Sequence, residues 1–154
     1  MKQLIQQISK TNPSIGFSIA RLTLGLVLLP HGAQKLLGLF GGYGFSATMD
    51  SFTTQMGLPG IVAFSIIMIE FFGSISLILG FFSRLWALSI FGMFIGIIFT
   101  TQIEHGFFMN WFGNQAGEGF EYSLLIMGLA LSTIINGSGK WSVDRIISKK
   151  TKHA

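Results

Sequence analysis

Five ionisable side chains lie within or beside apolar stretches: Arg21, His31, Lys35, Glu70 and Glu121. His31 and Lys35 are four residues apart, so on a helix they share a face one turn apart. A proton carrier beside a cation suits hydrogen bonding to a carbonyl or an anionic group. A nearby carboxylate tunes that charge or relays a proton. Arg or Lys at a helix centre in a membrane costs about 2.5 to 3.5 kcal/mol each on insertion scales. Such groups persist when they face a bundle interior and have partners. No cysteine is present, which removes disulfides, Fe–S clusters and Cys-ligated metal. There is no HExxH, P-loop or dinucleotide fingerprint, and His31 with His105 is too small a set to assign a metal or haem. No catalytic residue is assigned. Any redox role needs a bound cofactor or a partner subunit.

The elements that position these groups follow from composition. Half of the 154 residues are hydrophobic and only 10% are charged, against about 25% in soluble domains. The mean hydropathy is +0.63. This is the composition of an integral membrane protein, with one domain over 1–154. The net charge of +4 comes from basic residues at the chain ends and beside apolar segments, so nucleic acid is not expected as a partner.

The expected fold is all-α, an integral membrane four-helix bundle with spans at about 15–39, 60–82, 85–103 and 119–135. Residues 1–14 carry a weak amphipathic pattern through Leu4, Ile5 and Ile8. Pro30 predicts a kink in the first span, since it removes one backbone hydrogen bond and crowds the preceding turn. Residues 45–59 read as a loop with a short interfacial helix. Gly92-x-x-x-Gly96 predicts close helix approach in the third span, and Trp86, Trp111 and Trp141 fit interfacial belts. Nine of the ten Lys and Arg fall to one side if Arg21 is counted with its near end. The positive-inside rule then places both termini in the cytoplasm, in a multi-pass protein of the cell membrane.

At about 1.5 Å per residue, Glu70 falls near the midplane and Lys35, His31 and Glu121 near the outer side. Two pairings are expected: Arg21 with Glu70, and Lys35 (with His31) against Glu121. On a helical projection Arg21, Gly25, Gly32 and Lys35 share one stripe within about 40°, with His31 at its edge. These charges also have a purely structural reading, as devices that hold helices in register.

The same residues resemble the DoxX family of small four-span membrane proteins. The resemblance rests on Arg21, on His31-Gly32-x-x-Lys35, on Gly57-Leu58-Pro59, and on Glu70-x-x-Gly73. Leu79-Gly80-Phe81 before Arg84, Gly119-Phe120-Glu121 and the run Gly137 to Asp144 complete it. It covers about residues 17–145. It implies a redox-associated accessory subunit, possessing no assigned catalytic role of its own and belonging to a quinone-linked oxidoreductase. The expected ligand site holds His31, Lys35, Glu121, Glu70 and Arg21, in a cavity between the first, second and fourth spans. The expected partners are the lipid bilayer, a quinone or lipid ligand, and a redox subunit or a second copy. A non-enzymatic lipid or metabolite binder or transporter, and a structural assembly subunit, stay open as alternatives.

Overall fold

The computed structural model describes residues 7–152, and every regular element among them is helical. Leu4 and Ile5 of the expected amphipathic segment lie outside the described residues. Helix α1 is Ile15–Leu37 and continues through Pro30. It stops at Gly38, which takes φ 71°, a left-handed conformation open to glycine at no steric cost. Helix α2, Gly44–Asp50, is prolonged by a π turn over Ser51–Gln55. It is the short helix expected in the first loop. Helices α3, Gly60–Leu79, and α4, Ser83–His105, follow. Then come α5, Glu121–Asn136, and α6, Val143–Lys152.

α1, α3 and α4 are long and apolar enough to cross a membrane. α5 is apolar but has 16 residues, a rise of about 24 Å against a hydrocarbon core of about 30 Å. α1 packs on α3 and α5, and α4 packs on α5. Their inward residues form one core that includes Leu24, Leu28, Leu77, Ile90, Phe94 and Ile126. Large apolar side chains such as Leu26, Leu88, Phe99 and Leu125 face outward. Water penalises that surface and hydrocarbon does not.

Two glycines set the register of α1 on α3. A Cβ on Gly25 would sit 2.9 Å from the Ser74 carbonyl oxygen, and one on Gly32 would sit 2.6 Å from the Phe71 nitrogen. The backbones therefore meet directly, as small residues at membrane helix interfaces allow. Antiparallel packing then brings Arg21 level with Leu77 and Ile78, and Gly32 level with Glu70 and Phe71.

α3 and α4 behave differently. Near the turn that joins them, Gly73 accepts the Trp86 ring, 3.0 Å from where its Cβ would be. Trp86 thus packs against the core; Trp111 and Trp141 are exposed. Farther from the turn a cavity opens between the two helices. Gly92 and Gly96 face open space, so the expected close approach at this Gly-x-x-x-Gly does not occur. Its glycines leave room for a void and not for a helix.

Two further π turns interrupt the long helices, over Ile69–Gly73 in α3 and Ile98–Gln102 in α4. A π turn bulges the helix and disturbs its ladder of carbonyl bonds. Hydroxyls bond back to carbonyls at each of the three. Thr54 donates to the Asp50 carbonyl (2.5 Å), Ser74 to that of Glu70, and Thr101 to that of Ile97 (2.8 Å). Back-bonding of this kind also bends helices.

Candidate functional site

The polar side chains singled out in the sequence fall into separate clusters. Arg21 is fully buried at the end of the bundle that carries the 137–152 segment. Its Nε donates to the Ser138 carbonyl at 2.8 Å, and one terminal nitrogen donates to Trp141 at 2.6 Å. The other donates to the carbonyls of Leu77 and Ile78. Those two carbonyls belong to the last turn of α3, where the helix dipole is negative; that of Leu77 also accepts the Gly80 N–H at 3.1 Å. Arg21 is therefore a cap for α3 and a tie to the segment after α5.

Asp144 complements it from the other side of the same turn. Its carboxylate accepts the N–H of Phe82 at 2.8 Å, the N–H of Ser83 at 3.0 Å, and the Ser138 hydroxyl. Phe82 adopts φ 47°, a left-handed conformation that costs a non-glycine residue about 1 to 2 kcal/mol. The two charge-assisted bonds to Asp144 hold the backbone in this turn and satisfy N–H groups at the start of α4.

The expected ion pairs are not the ones formed. Lys35 Nζ meets Glu70 Oε2 at 2.5 Å, the one salt bridge among the described residues. Arg21 does not reach Glu70, and Lys35 does not pair with Glu121. The reason lies in side-chain direction, because side chains lean toward the amino end of their helix. α1 and α3 are antiparallel, so Lys35 and Glu70 lean toward each other. Arg21 leans away from Glu70, toward the end of α3. Glu121 instead accepts the Met109 N–H at 3.2 Å. Its own N–H donates to the Phe107 carbonyl at 2.9 Å, so it closes the loop before α5. His31 is exposed, its ring 6.3 Å from that of Tyr122. The Tyr122 hydroxyl is buried with no hydrogen-bond partner, within electrostatic range of Glu70.

Lys35 and Glu70 supply the charged part of the lining of a cavity of about 520 Å³. Its walls are the end of α2, the first half of α3 and the middle of α4 from Ser89 to Thr101. This cavity lies between α3 and α4, whereas the sequence reading expects one between the first, second and fourth spans. His31, Glu121 and Arg21 do not line it. Phe52, Met56, Ile61, Ile66 and Met93 make it apolar, and Ser65, Ser89, Thr100 and Thr101 add hydroxyls. All three π turns contribute to the lining, through Phe52, Ile69 with Glu70, and Thr100 with Thr101.

The residues of α4 were missed as site residues, although a signal existed. Ser89, Gly92, Gly96 and Thr100 recur at helical spacing on one face, a stripe of small and polar residues through an apolar helix. Read for close packing it predicts a helix contact; it also describes the wall of a slot. Chemically, the cavity joins an apolar slot to an ammonium that has donors to spare beyond its bond to Glu70. That arrangement suits a molecule with an apolar body and a hydrogen-bond-accepting head.

Comparison with known proteins bears on the same residues. The family model described as DoxX matches residues 16–103. That stretch holds Arg21, Lys35, Glu70 and all of the cavity lining. The chain is similar to the protein of Escherichia coli named "Inner membrane protein YqjF", at 28% identity over 136 residues, covering 88% of this chain and 95% of that protein. It is also similar to the Bacillus subtilis protein named "Putative oxidoreductase CatD", at 27% identity over 139 residues, covering 90% of this chain and 92% of that protein. No solved structure matches.

Proposed function

Given that the chain belongs to the DoxX family of membrane proteins, we propose that it is a redox-associated accessory protein that holds a quinone-like amphipathic molecule between α3 and α4. The observation that carries this reading is the Lys35–Glu70 pair set in the wall of an otherwise apolar cavity. The volume of about 520 Å³ lies within the range of about 300 to 1,000 Å³ usual for small-molecule sites. The Lys35 ammonium donates to a head-group carbonyl. Glu70 holds that ammonium in place at the cavity wall. The redox half of the reading draws on the name of the Bacillus subtilis relative. Electrons enter and leave through a partner subunit, since no residue of the cavity is itself redox-active.

The membrane arrangement belongs to the same proposal. α5 serves as a fourth crossing, with local thinning of the bilayer making up for its length. Both termini face the cytoplasm of a multi-pass cell-membrane protein, following the distribution of Lys and Arg. The whole chain acts as one domain. Arg21 and Glu121 shape the bundle and its loop, and take no part in holding the ligand.

Titration of the protein in nanodiscs with a short-chain quinone tests the reading. Saturable binding is expected, weakened about tenfold or more in Lys35→Met through loss of a charge-assisted hydrogen bond. Lys140→Gln, remote from the cavity, leaves it unchanged. Equal affinity in the wild type and in Lys35→Met overturns the proposed head-group contact. A tightly held phospholipid in the cavity, with no quinone binding, favours the lipid-carrier alternative.

A further inference from the structure

The helix after the bundle has no part in the cavity, and its placement is unusually well fixed. The Asp144 N–H donates to the Gly80 carbonyl at 2.9 Å, while the Asp144 carboxylate takes the N–H groups of Phe82 and Ser83. The first turn of α6 is thereby pinned to the turn joining α3 and α4. That turn connects two membrane-crossing helices, so α6 starts at the membrane boundary.

From this pin the sides of α6 are defined. Asp144 is buried, and Ile147 and Ser148 are half-buried with partners of their own. Ile146 points the other way and is 58% exposed. Lys149 and Lys150 are exposed as well, and at 100° per residue they flank Ile146 within about 60° on either side. Trp141, just ahead of the helix, is also exposed. An isoleucine and a tryptophan framed by lysines is the pattern of an interfacial helix, its apolar groups in the acyl boundary and its ammoniums reaching to headgroups.

Charge identifies the surface. Lys10, Arg84, Lys140, Arg145, Lys149 and Lys150 gather at this end of the described chain, against Asp144 alone. The Asp144 oxygens are already taken by Phe82, Ser83 and Ser138. Among the described residues no carboxylate forms a salt bridge with any of the six. A one-signed cluster on exposed apolar groups at the bilayer boundary is complementary to an anionic lipid surface.

We propose that α6 lies on the membrane and that its Ile146, Lys149 and Lys150 side docks onto anionic phospholipid headgroups. Each basic residue near such a surface strengthens docking about fivefold, and salt weakens the effect by screening. The chain has no cysteine, so Ile146→Cys gives a single labelling site on an exposed position. The full chain, labelled there with a fluorophore, is reconstituted in phosphatidylcholine vesicles with and without phosphatidylglycerol. In the anionic vesicles the label is expected to be shielded from an aqueous quencher and quenched by a lipid-borne one. Lys149→Gln with Lys150→Gln is expected to shift that docking toward water by about twenty-fivefold. Aqueous quenching that is equal in the two vesicle types overturns the proposal. So does shielding that the double glutamine variant leaves unchanged, or that appears only when an acidic soluble protein is added.

Discussion

Arg21 and Lys35 stand on the same stripe of α1, and both are cations that meet α3, yet they are built into the fold in opposite ways. Arg21 spends its donors on backbone carbonyls of Leu77, Ile78, Ser138 and Trp141. Its planar, multiply donating head matches several fixed acceptors at once. Four of its five N–H groups are taken, and it does not line the cavity. Lys35 has one side-chain partner, Glu70, and faces a cavity with its remaining donors. A cation tied to backbone secures helix ends; a cation tied to one carboxylate beside a void can exchange that partner for another. The difference separates architecture from candidate chemistry within one helix.

The strongest way to break this contrast is at Arg21. Arg21→Met leaves several carbonyls without donors in a buried turn and is expected to cost about 3 to 5 kcal/mol. Chemical denaturation in detergent reads this loss. Arg21→Lys restores only part of it, because one ammonium cannot span the four carbonyls. Full recovery of stability by lysine would erase the distinction between the two cations.

At the cavity the expected behaviour is smaller and reversible. Lys35→Met strands the buried Glu70 and is expected to cost about 1 to 3 kcal/mol, moderated because the Lys35 side chain is 25% exposed. Adding Glu70→Met to it is expected to return stability to within about 1 kcal/mol of wild type, since buried ion pairs are often replaced by apolar groups without loss. A double variant no more stable than the single would make the pair architectural, like Arg21.

Glycine substitutions give the finest comparison. Gly32→Ala drives a methyl into the Phe71 backbone and is expected to cost about 1 to 3 kcal/mol. Gly92→Ala meets only open space, so stability stays within about 0.5 kcal/mol or rises, as alanine favours a helix. Paired melts of the two variants separate a packed glycine from a cavity glycine.

Much of the molecule is legible in one dimension. Low charge and long apolar runs establish a membrane protein because hydrocarbon accepts what water rejects. The first two spans, expected to about 39 and 82, stop slightly earlier because Gly38 and Gly80 take left-handed caps. The ionisable residues stand out by their cost at membrane depth, and their order along the chain carries the family resemblance.

Partners were not legible, and the reason is geometric. Equal numbers of cations and carboxylates are compatible with several pairings. Only the contact of Gly25 and Gly32 with the α3 backbone fixes the register, and only side-chain lean within antiparallel helices chooses Lys35–Glu70 over Arg21–Glu70. Asp144 stands in the sequence only as the end of the run from Gly137, and the fold brings it to the N–H groups of Phe82 and Ser83. The cavity depends on still longer-range facts: three π turns and the divergence of α3 from α4. Composition and spacing thus decided the solvent this chain lives in and which residues are costly there. Tertiary structure alone decided which of those residues are consumed in holding helices and which face a space, because that depends on what stands opposite each one.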